Sequence, residues 1–230
     1  MGTSFVKVNE QQFGTLLVRA AGGIGAALEP KLDAPTHVIN GDAIDLTNAI
    51  EVDAALETFS TAFDTVIFSW LDPASFVAKP IHELTEDEWD AASEKSMRAA
   101  FIVLQRVYAR LNDGGRVIIV LPTTAATGVA ELVPLCSAVE AIRVMAKAVA
   151  RRWGARSITV NTIEVDLATF IVGDGDRANV PSVPVLGVPA LSESSVVNDV
   201  VGLISLLRSE SSSGLTGALL VADRGTVMQP

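Results

Sequence analysis

The stretch "GRVIIVL", Gly115 to Leu121, places five aliphatic side chains in a row behind a glycine and an arginine. A run this short and this apolar reads as a strand covered on both faces, an environment that a sheet sandwiched between helices provides. Five further runs share its character: "GTLLVRA" (14–20), "THVIN" (36–40), "DTVIFSW" (64–70), "SITVNTI" (157–163) and "GALLVAD" (217–223). Helical patterns separate them. Repeated strand–helix alternation implies an α/β fold, a Rossmann-like, doubly wound parallel sheet in three α/β/α layers. No repeat or low-complexity linker divides the 230 residues, so one domain is expected over 1–230, with residues 1–12 as an extension ahead of the first strand.

Composition narrows the function classes. The chain carries 17 basic and 27 acidic residues, a net charge of -10, and no Lys/Arg run that would follow a phosphate backbone, so nucleic acid is not an expected partner. A single cysteine, Cys136, excludes an internal disulfide and fits a reducing compartment. The two histidines, His37 and His82, stand far apart with no cysteine nearby, which gives no metal-ligand spacing. "MGTSFVKVNE" has no signal-peptide apolar core, Val6 breaks the myristoylation pattern, and no apolar run approaches a bilayer's thickness. A soluble cytoplasmic protein without a membrane partner is expected.

Two helices and one loop attract functional interest. The first helix is predicted from Thr85, where Thr-Glu-Asp-Glu forms a capping box with Glu88, to Leu111, before "NDGG". Its "AAFIVL" segment, Ala99 to Leu104, is apolar all round, so a cover beyond the chain's own sheet is expected. The second helix spans 135–153, all but its last residue within "PLCSAVEAIRVMAKAVARR", Pro134 to Arg152. Paired helices with surplus apolar surface suggest a subunit interface through 85–111 and 135–153. Residues 167–195, rich in Gly, Pro and Ser, form a long loop at a strand's carboxyl end, where α/β sheets bind ligands.

Several motifs together resemble the short-chain dehydrogenase/reductase family over nearly the whole chain. "SSSGLTGALLVADRG", Ser211 to Gly225, is similar to the family's last strand and its Asp-Gly-Gly turn, with Arg224 at the middle glycine. "LTEDEWDAASEKSMRAAFIVLQ" resembles its interface helix, "GGRVIIVLPTTA" the strand after it, and "ARSITVNTIEVD" the strand that normally enters a Pro-Gly turn.

The functional motifs depart from that pattern. In "VRAAGGIG", Val18 to Gly25, the positions Gly23, Ile24 and Gly25 match the family's glycine motif, but Arg19 replaces its first glycine. That glycine normally permits a tight turn beneath a dinucleotide's pyrophosphate. Arg19 either obstructs the turn or attracts a phosphate in a shifted pose; Gly23 and Gly25 alone also suit close helix–strand packing. Asp45-Leu46, at the adenine-reaching position, follows Gly25 by twenty residues, about half the usual spacing, so a helix of the cofactor half is cut down or absent. "FSWL", Phe68 to Leu71, replaces Asn-Asn-Ala-Gly and puts Trp70 where a small residue lets the nicotinamide side approach.

The resemblance also locates the catalytic tetrad: Ser96 at the asparagine position, Pro122 or Thr123 at the serine, Leu135 at the tyrosine and Val139 at the lysine. The chemistry requires a phenol to exchange a proton with the carbinol oxygen and an ammonium to lower the phenol's pKa. Leucine and valine do neither. Tyr108 is the only tyrosine, and Asn112 stands four residues beyond it, so no Tyr-x-x-x-Lys exists.

The resemblance thus implies a non-catalytic subunit paired with an active family member, as in heteromeric dehydrogenases of the hydroxybenzylsuccinyl-CoA dehydrogenase kind. NAD(P) would sit in the active partner and none in this chain, where Arg19, Gly23, Ile24, Gly25 and Asp45 form a vestigial cofactor site. Self-association as a homodimer or tetramer through the same helices is the other assembly. Two alternatives remain open: an oxidoreductase or lyase using Thr123, Thr124, Cys136 and Asp166, and a regulatory module that senses a nucleotide or acyl-CoA through Arg19 and the loop.

Overall fold

The six apolar runs become the six strands of one sheet in a computed structural model that describes residues 14–33, 35–176, 180, 189–191 and 195–228. In chain order the elements are β1 (Gly14–Arg19), α1 (Gly23–Leu28), β2 (Thr36–Asn40), α2 (Ala49–Glu57), β3 (Phe63–Ser69), α3 (Glu86–Trp89), α4 (Lys95–Val107), β4 (Leu111–Pro122), α5 (Thr124–Thr127), α6 (Val133–Trp153), β5 (Thr159–Val165), α7 (Leu167–Val172), α8 (Val196–Arg208) and β6 (Leu219–Val221). The strands lie in the order β2-β1-β3-β4-β5-β6, with every neighbouring pair parallel. Residues 1–12, and 177–179, 181–188 and 192–194 of the predicted loop, lie outside the described residues.

Strand order locates the crevice. The chain steps from β1 to β2 on one side, then returns to place β3 on the other, so the carboxyl ends of β1 and β3 diverge. The usual dinucleotide-binding sheet, order 3-2-1-4-5-6, has a further strand outside β2. Here β2 is the edge. The shortening between Gly25 and Asp45 therefore removes a strand as well as its helix, while α2 keeps nine residues.

The core is continuous through the sheet: Leu16 to Val18, Val66, Ile67 and Val117 to Leu121 are fully buried. Helix α1 packs against α7 and α8, and α4 against α2 and α6, giving the two outer layers.

Both helices expected to form an interface differ from their predicted form. The first starts with the expected capping box, Thr85 Oγ1 accepting from the Glu88 N–H at 3.3 Å. It then runs from α3 through a π-turn at Asp90–Glu94 into α4. It ends in a 3-10 turn at Tyr108–Arg110, and Leu111 belongs to the sheet, paired with Phe63. The next paired position is Arg116 against Thr65, so "NDGG" bulges out between them. Helix α6 begins two residues before Leu135 because Pro134, in the first turn, has no N–H that a helix would need.

The apolar segment of α4 does not need an external cover along most of its length. Ala99, Ala100, Ile102, Val103 and Leu104 are all buried within the chain, because α2 and α6 flank α4 and the segment joins the common core. Phe101, 51% exposed, is the exception in that segment. Among the described residues no helix is long and apolar enough to cross a membrane.

A charge on the inner face of α4 should therefore unfold the subunit. Val107 is 0% exposed, and Val107→Asp is expected to lower stability by about 3–5 kcal/mol, the effect of an uncompensated buried charge. Circular dichroism melts check this; a folded variant with an unchanged midpoint would mean that α4 is not packed as described.

Candidate functional site

At the switch point, β1 delivers the chain into "RAAGGIG". Gly23 has φ +72°, and a Cβ there would stand 2.5 Å from the Phe170 carbonyl oxygen of α7. A Cβ on Gly25 would collide with Ser69 Oγ and come within 2.5 Å of Arg19 Cβ. Ile24 between them is 1% exposed in the core. All three positions thus serve packing: α1 presses against β1 and β3, and α7 backbone lies over its first turn.

Arg19 crosses the start of α1 toward Glu29. Its Nε donates to Glu29 Oε2 at 2.8 Å, and Nη1 donates to the Ala20 carbonyl at 2.8 Å. The guanidinium charge is therefore matched within the chain.

The first amide of the glycine turn is also taken. Ala21 N–H donates to Asp42 Oδ2 at 2.7 Å, and Trp70 Nε1–H donates to Asp42 Oδ1 at 3.2 Å. Trp70 is 5% exposed. Its indole lies so close to Gly41 that a Cβ there would stand 2.6 Å from Trp70 Cδ1. Trp70 thus fills the crevice on the β2 side, rather than the nicotinamide side where its sequence position put it. The missing Cβ of Gly41 and the Asp42 acceptor draw it there. Asp45 turns back on its own loop, accepting from Thr47 N at 2.8 Å and Thr47 Oγ1 at 2.6 Å; these bonds hold its carboxyl below the usual carboxylate range.

A dinucleotide needs free N–H groups and positive charge at the start of α1. Here the arginine is paired, the amide has an anion, and α1 is six residues long with the Phe170 carbonyl above it. The residues present do not fit that group.

The tetrad positions are structural in their contacts. Leu135 and Val139 are each 0% exposed within the core. Ser96, fully buried on α4, accepts from Asp72 N–H at 2.9 Å and lies 3.1 Å from Ser75 Oγ, pinning the turn after β3. Pro122 ends β4, and Thr123 N–H donates to the Val165 carbonyl at 2.8 Å. Asp166 caps α7, accepting from Thr169 N at 3.0 Å and Thr169 Oγ1 at 2.6 Å. Cys136 Sγ donates to the Thr124 carbonyl at 3.5 Å, an acceptor that cannot activate a thiol, while Thr124 Oγ1 is buried without a partner among the described residues. Among the described residues no three His, Cys, Asp or Glu side chains converge as a metal site.

Sequence reading placed the family's ribose-gripping position near Asn40 to Asp42, but did not find Glu29 or Ser69 as parts of the crevice, nor Glu164 as a buried charge. One signal was available: a glutamate inside the otherwise uncharged strand "TVNTIEV".

Comparison with known proteins agrees with this architecture. The family profile described as "Enoyl-(Acyl carrier protein) reductase" matches residues 25–227, and the chain belongs to the short-chain dehydrogenase/reductase family. It is similar to a D-threitol dehydrogenase of Mycolicibacterium smegmatis, 26% identical over 207 residues, covering 86% of this chain and 77% of that protein. A hydroxynaphthalene reductase-like protein of Metarhizium brunneum is 28% identical over 120 residues, 52% of this chain and 45% of its own length. Among solved structures, a blue fluorescent protein from a metagenomic library in complex with NADPH superimposes with a TM-score of 0.74 at 22% identity, covering 94% of this chain and 98% of that one. Landomycin C-6 ketoreductase with bound NADP and rabelomycin gives a TM-score of 0.73 at 21% identity, covering 93% and 96%. These two likenesses establish the fold.

The packing role of the glycine motif is open to test. Gly25→Ala should lower stability by about 1–3 kcal/mol because a Cβ there would overlap Ser69 Oγ and stand 2.5 Å from Arg19 Cβ. Gly202→Ala is the contrast: it lies exposed in α8 with nothing within 4 Å of a new Cβ, and should raise stability by about 0.5–1 kcal/mol. Urea unfolding of both variants checks the pair of signs.

Proposed function

We propose that this chain is a non-catalytic subunit of the short-chain dehydrogenase/reductase family that pairs with an active NAD-dependent member, supporting its assembly and substrate binding. NAD(P) belongs to the partner. The observation that carries this reading is the self-occupied crevice, with Asp42 on the Ala21 amide, Trp70 over Gly41 and Arg19 on Glu29. Leu135 and Val139, buried where the family's proton-transfer pair stands, support it from the chemical side. The substrate class proposed is a hydroxyacyl-CoA, by analogy with heteromeric dehydrogenases of the hydroxybenzylsuccinyl-CoA dehydrogenase kind.

The surface suited to pairing is narrower than sequence alone implies. On the outer faces of α4 and α6, Phe101 is 51% exposed and Val144 59%, and Tyr108, just beyond α4, is 37% exposed. A partner of the same fold would cover them in a four-helix contact, and apolar area is worth about 25 cal/mol per Å2 when buried. The active partner and this chain would then associate as a hetero-oligomer; a homodimer or tetramer through the same face is the competing assembly.

Calorimetry with NAD and NADP on the isolated chain should show no binding in the micromolar range, about −8 kcal/mol, and a panel of alcohols and ketones should show no turnover. Micromolar NAD binding that Arg19→Gly weakens would make the arginine a phosphate ligand and overturn the reading of a closed site. Association is checked separately by ultracentrifugation of this chain with a co-encoded active dehydrogenase. Phe101→Asp or Val144→Asp should split the assembly while the circular dichroism spectrum stays native. A wild-type chain that remains monomeric alone and in the mixture removes the partner role, and a homodimer indifferent to the dehydrogenase shifts the assignment to a regulatory module that senses a nucleotide or acyl thioester.

A further inference from the structure

Glu164 stands inside β5 between Leu121 of β4 and Val221 of β6, and is 1% exposed. Buried carboxylates normally accept several hydrogen bonds; neither oxygen of Glu164 accepts one among the described residues. Arg143 of α6 brings Nε to 3.4 Å, an ion-pair contact outside hydrogen-bond geometry, while its Nη1 is bonded to Glu140. Two carboxylates thus compete for one guanidinium. The other charges acting on Glu164 are Lys147 of α6 and Asp223 just beyond β6; β4 presents only the apolar Leu121 in register.

Asp223 connects this cluster to the loop region. It is 2% exposed, and its two oxygens hold the following turn, Oδ1 accepting from Gly225 N at 2.9 Å and Oδ2 from Val227 N at 2.7 Å. The turn is tightly wound: Arg224 has φ +58° and Gly225 φ +74°. Its outer side receives residues 190–191, Leu191 N–H donating to the Arg224 carbonyl at 3.2 Å and Ala190 Cβ standing 3.2 Å from where a Gly225 Cβ would be. Glu164 pairs in register with Val221, and Asp223 follows two residues later, so the charge on Glu164 and the carboxylate that organises this turn act on each other.

We propose that Glu164 is a buried proton switch: protonated, it leaves Asp223 holding the 223–227 turn closed on Leu191; ionised, it repels Asp223, draws Arg143 from Glu140 and loosens that attachment. Burial pushes the Glu164 carboxyl up to about 7; Arg143 pulls it down, Glu140 and Asp223 add to the rise, and Lys147 opposes it. A raised carboxyl pKa favours the protonated folded state. The contribution of Glu164 to stability is therefore greatest below the ordinary value of 4.5, falls as pH rises toward about 7, and levels off above it.

Amide hydrogen exchange followed by NMR tests the switch at Leu191, Gly225 and Val227, corrected for intrinsic rates. Opening the turn removes part of what raises the Glu164 carboxyl to about 7, so wild-type protection should fall between pH 6 and pH 8, by at most about tenfold. Glu164→Gln should abolish the dependence, and Glu140→Gln, which frees Arg143, should move its midpoint down. A flat wild-type profile, or a dependence retained in Glu164→Gln, overturns the proposal. Should Glu164→Gln fail to fold, carboxyl 13C titration of the wild type decides: a midpoint near 7 supports the switch, and one near 4.5 ends it.

Discussion

The bond between the Ala21 amide and the Asp42 carboxylate ties together the three strand ends on which the crevice depends. Ala21 follows β1, Asp42 follows β2, and Trp70, which donates to the other Asp42 oxygen, follows β3. Gly41 N–H donates to the Arg19 carbonyl at 2.8 Å and continues the pairing of β1 and β2 past the sheet's edge. A helix start leaves amides without partners, and a nucleotide-binding protein leaves some of them for its ligand. Here an internal carboxylate supplies the anion at that turn.

Much of the fold was legible because buried parallel strands announce themselves as uninterrupted apolar runs, and each of the six runs contributes a strand. Helix ends were read less well. "NDGG" signals a stop, yet Leu111 pairs with Phe63 because the bulge moves the break to the carboxyl side of that residue. The all-apolar "AAFIVL" segment suggested an external partner, but single-sequence reading does not register that α2 and α6 flank it.

The candidate site was legible as a set of departures, and much less so in how the vacated positions were refilled. Arg19, Trp70, Leu135 and Val139 are visible as wrong residues in a known pattern. That Arg19 finds Glu29, and Trp70 finds Asp42, depends on contacts across 10 and 28 residues that periodicity does not encode. Backbone geometry can outlast its usual residue: Arg224 occupies the family's middle-glycine position and keeps a left-handed φ of +58°, although that conformation costs a non-glycine residue about 1–2 kcal/mol. Surrounding packing sets the turn there, and the side chain conforms.

The same accounting bears on what a ligand would face in this crevice. A dinucleotide seated against α1 has to displace Asp42 from two donors, each bond worth about 1 kcal/mol, and move the buried Trp70 indole, about 2–3 kcal/mol of apolar burial. Those terms sum to about 4–5 kcal/mol against the roughly 8 kcal/mol of a micromolar complex, enough to move binding toward the millimolar range. The Arg19–Glu29 pair adds little to the penalty, because Glu29 is partly exposed and an ion pair screened by water is weak. The obstruction thus resides chiefly in Asp42 and Trp70. Arginine at the first glycine position matters mainly because its stem occupies the space beside Gly25.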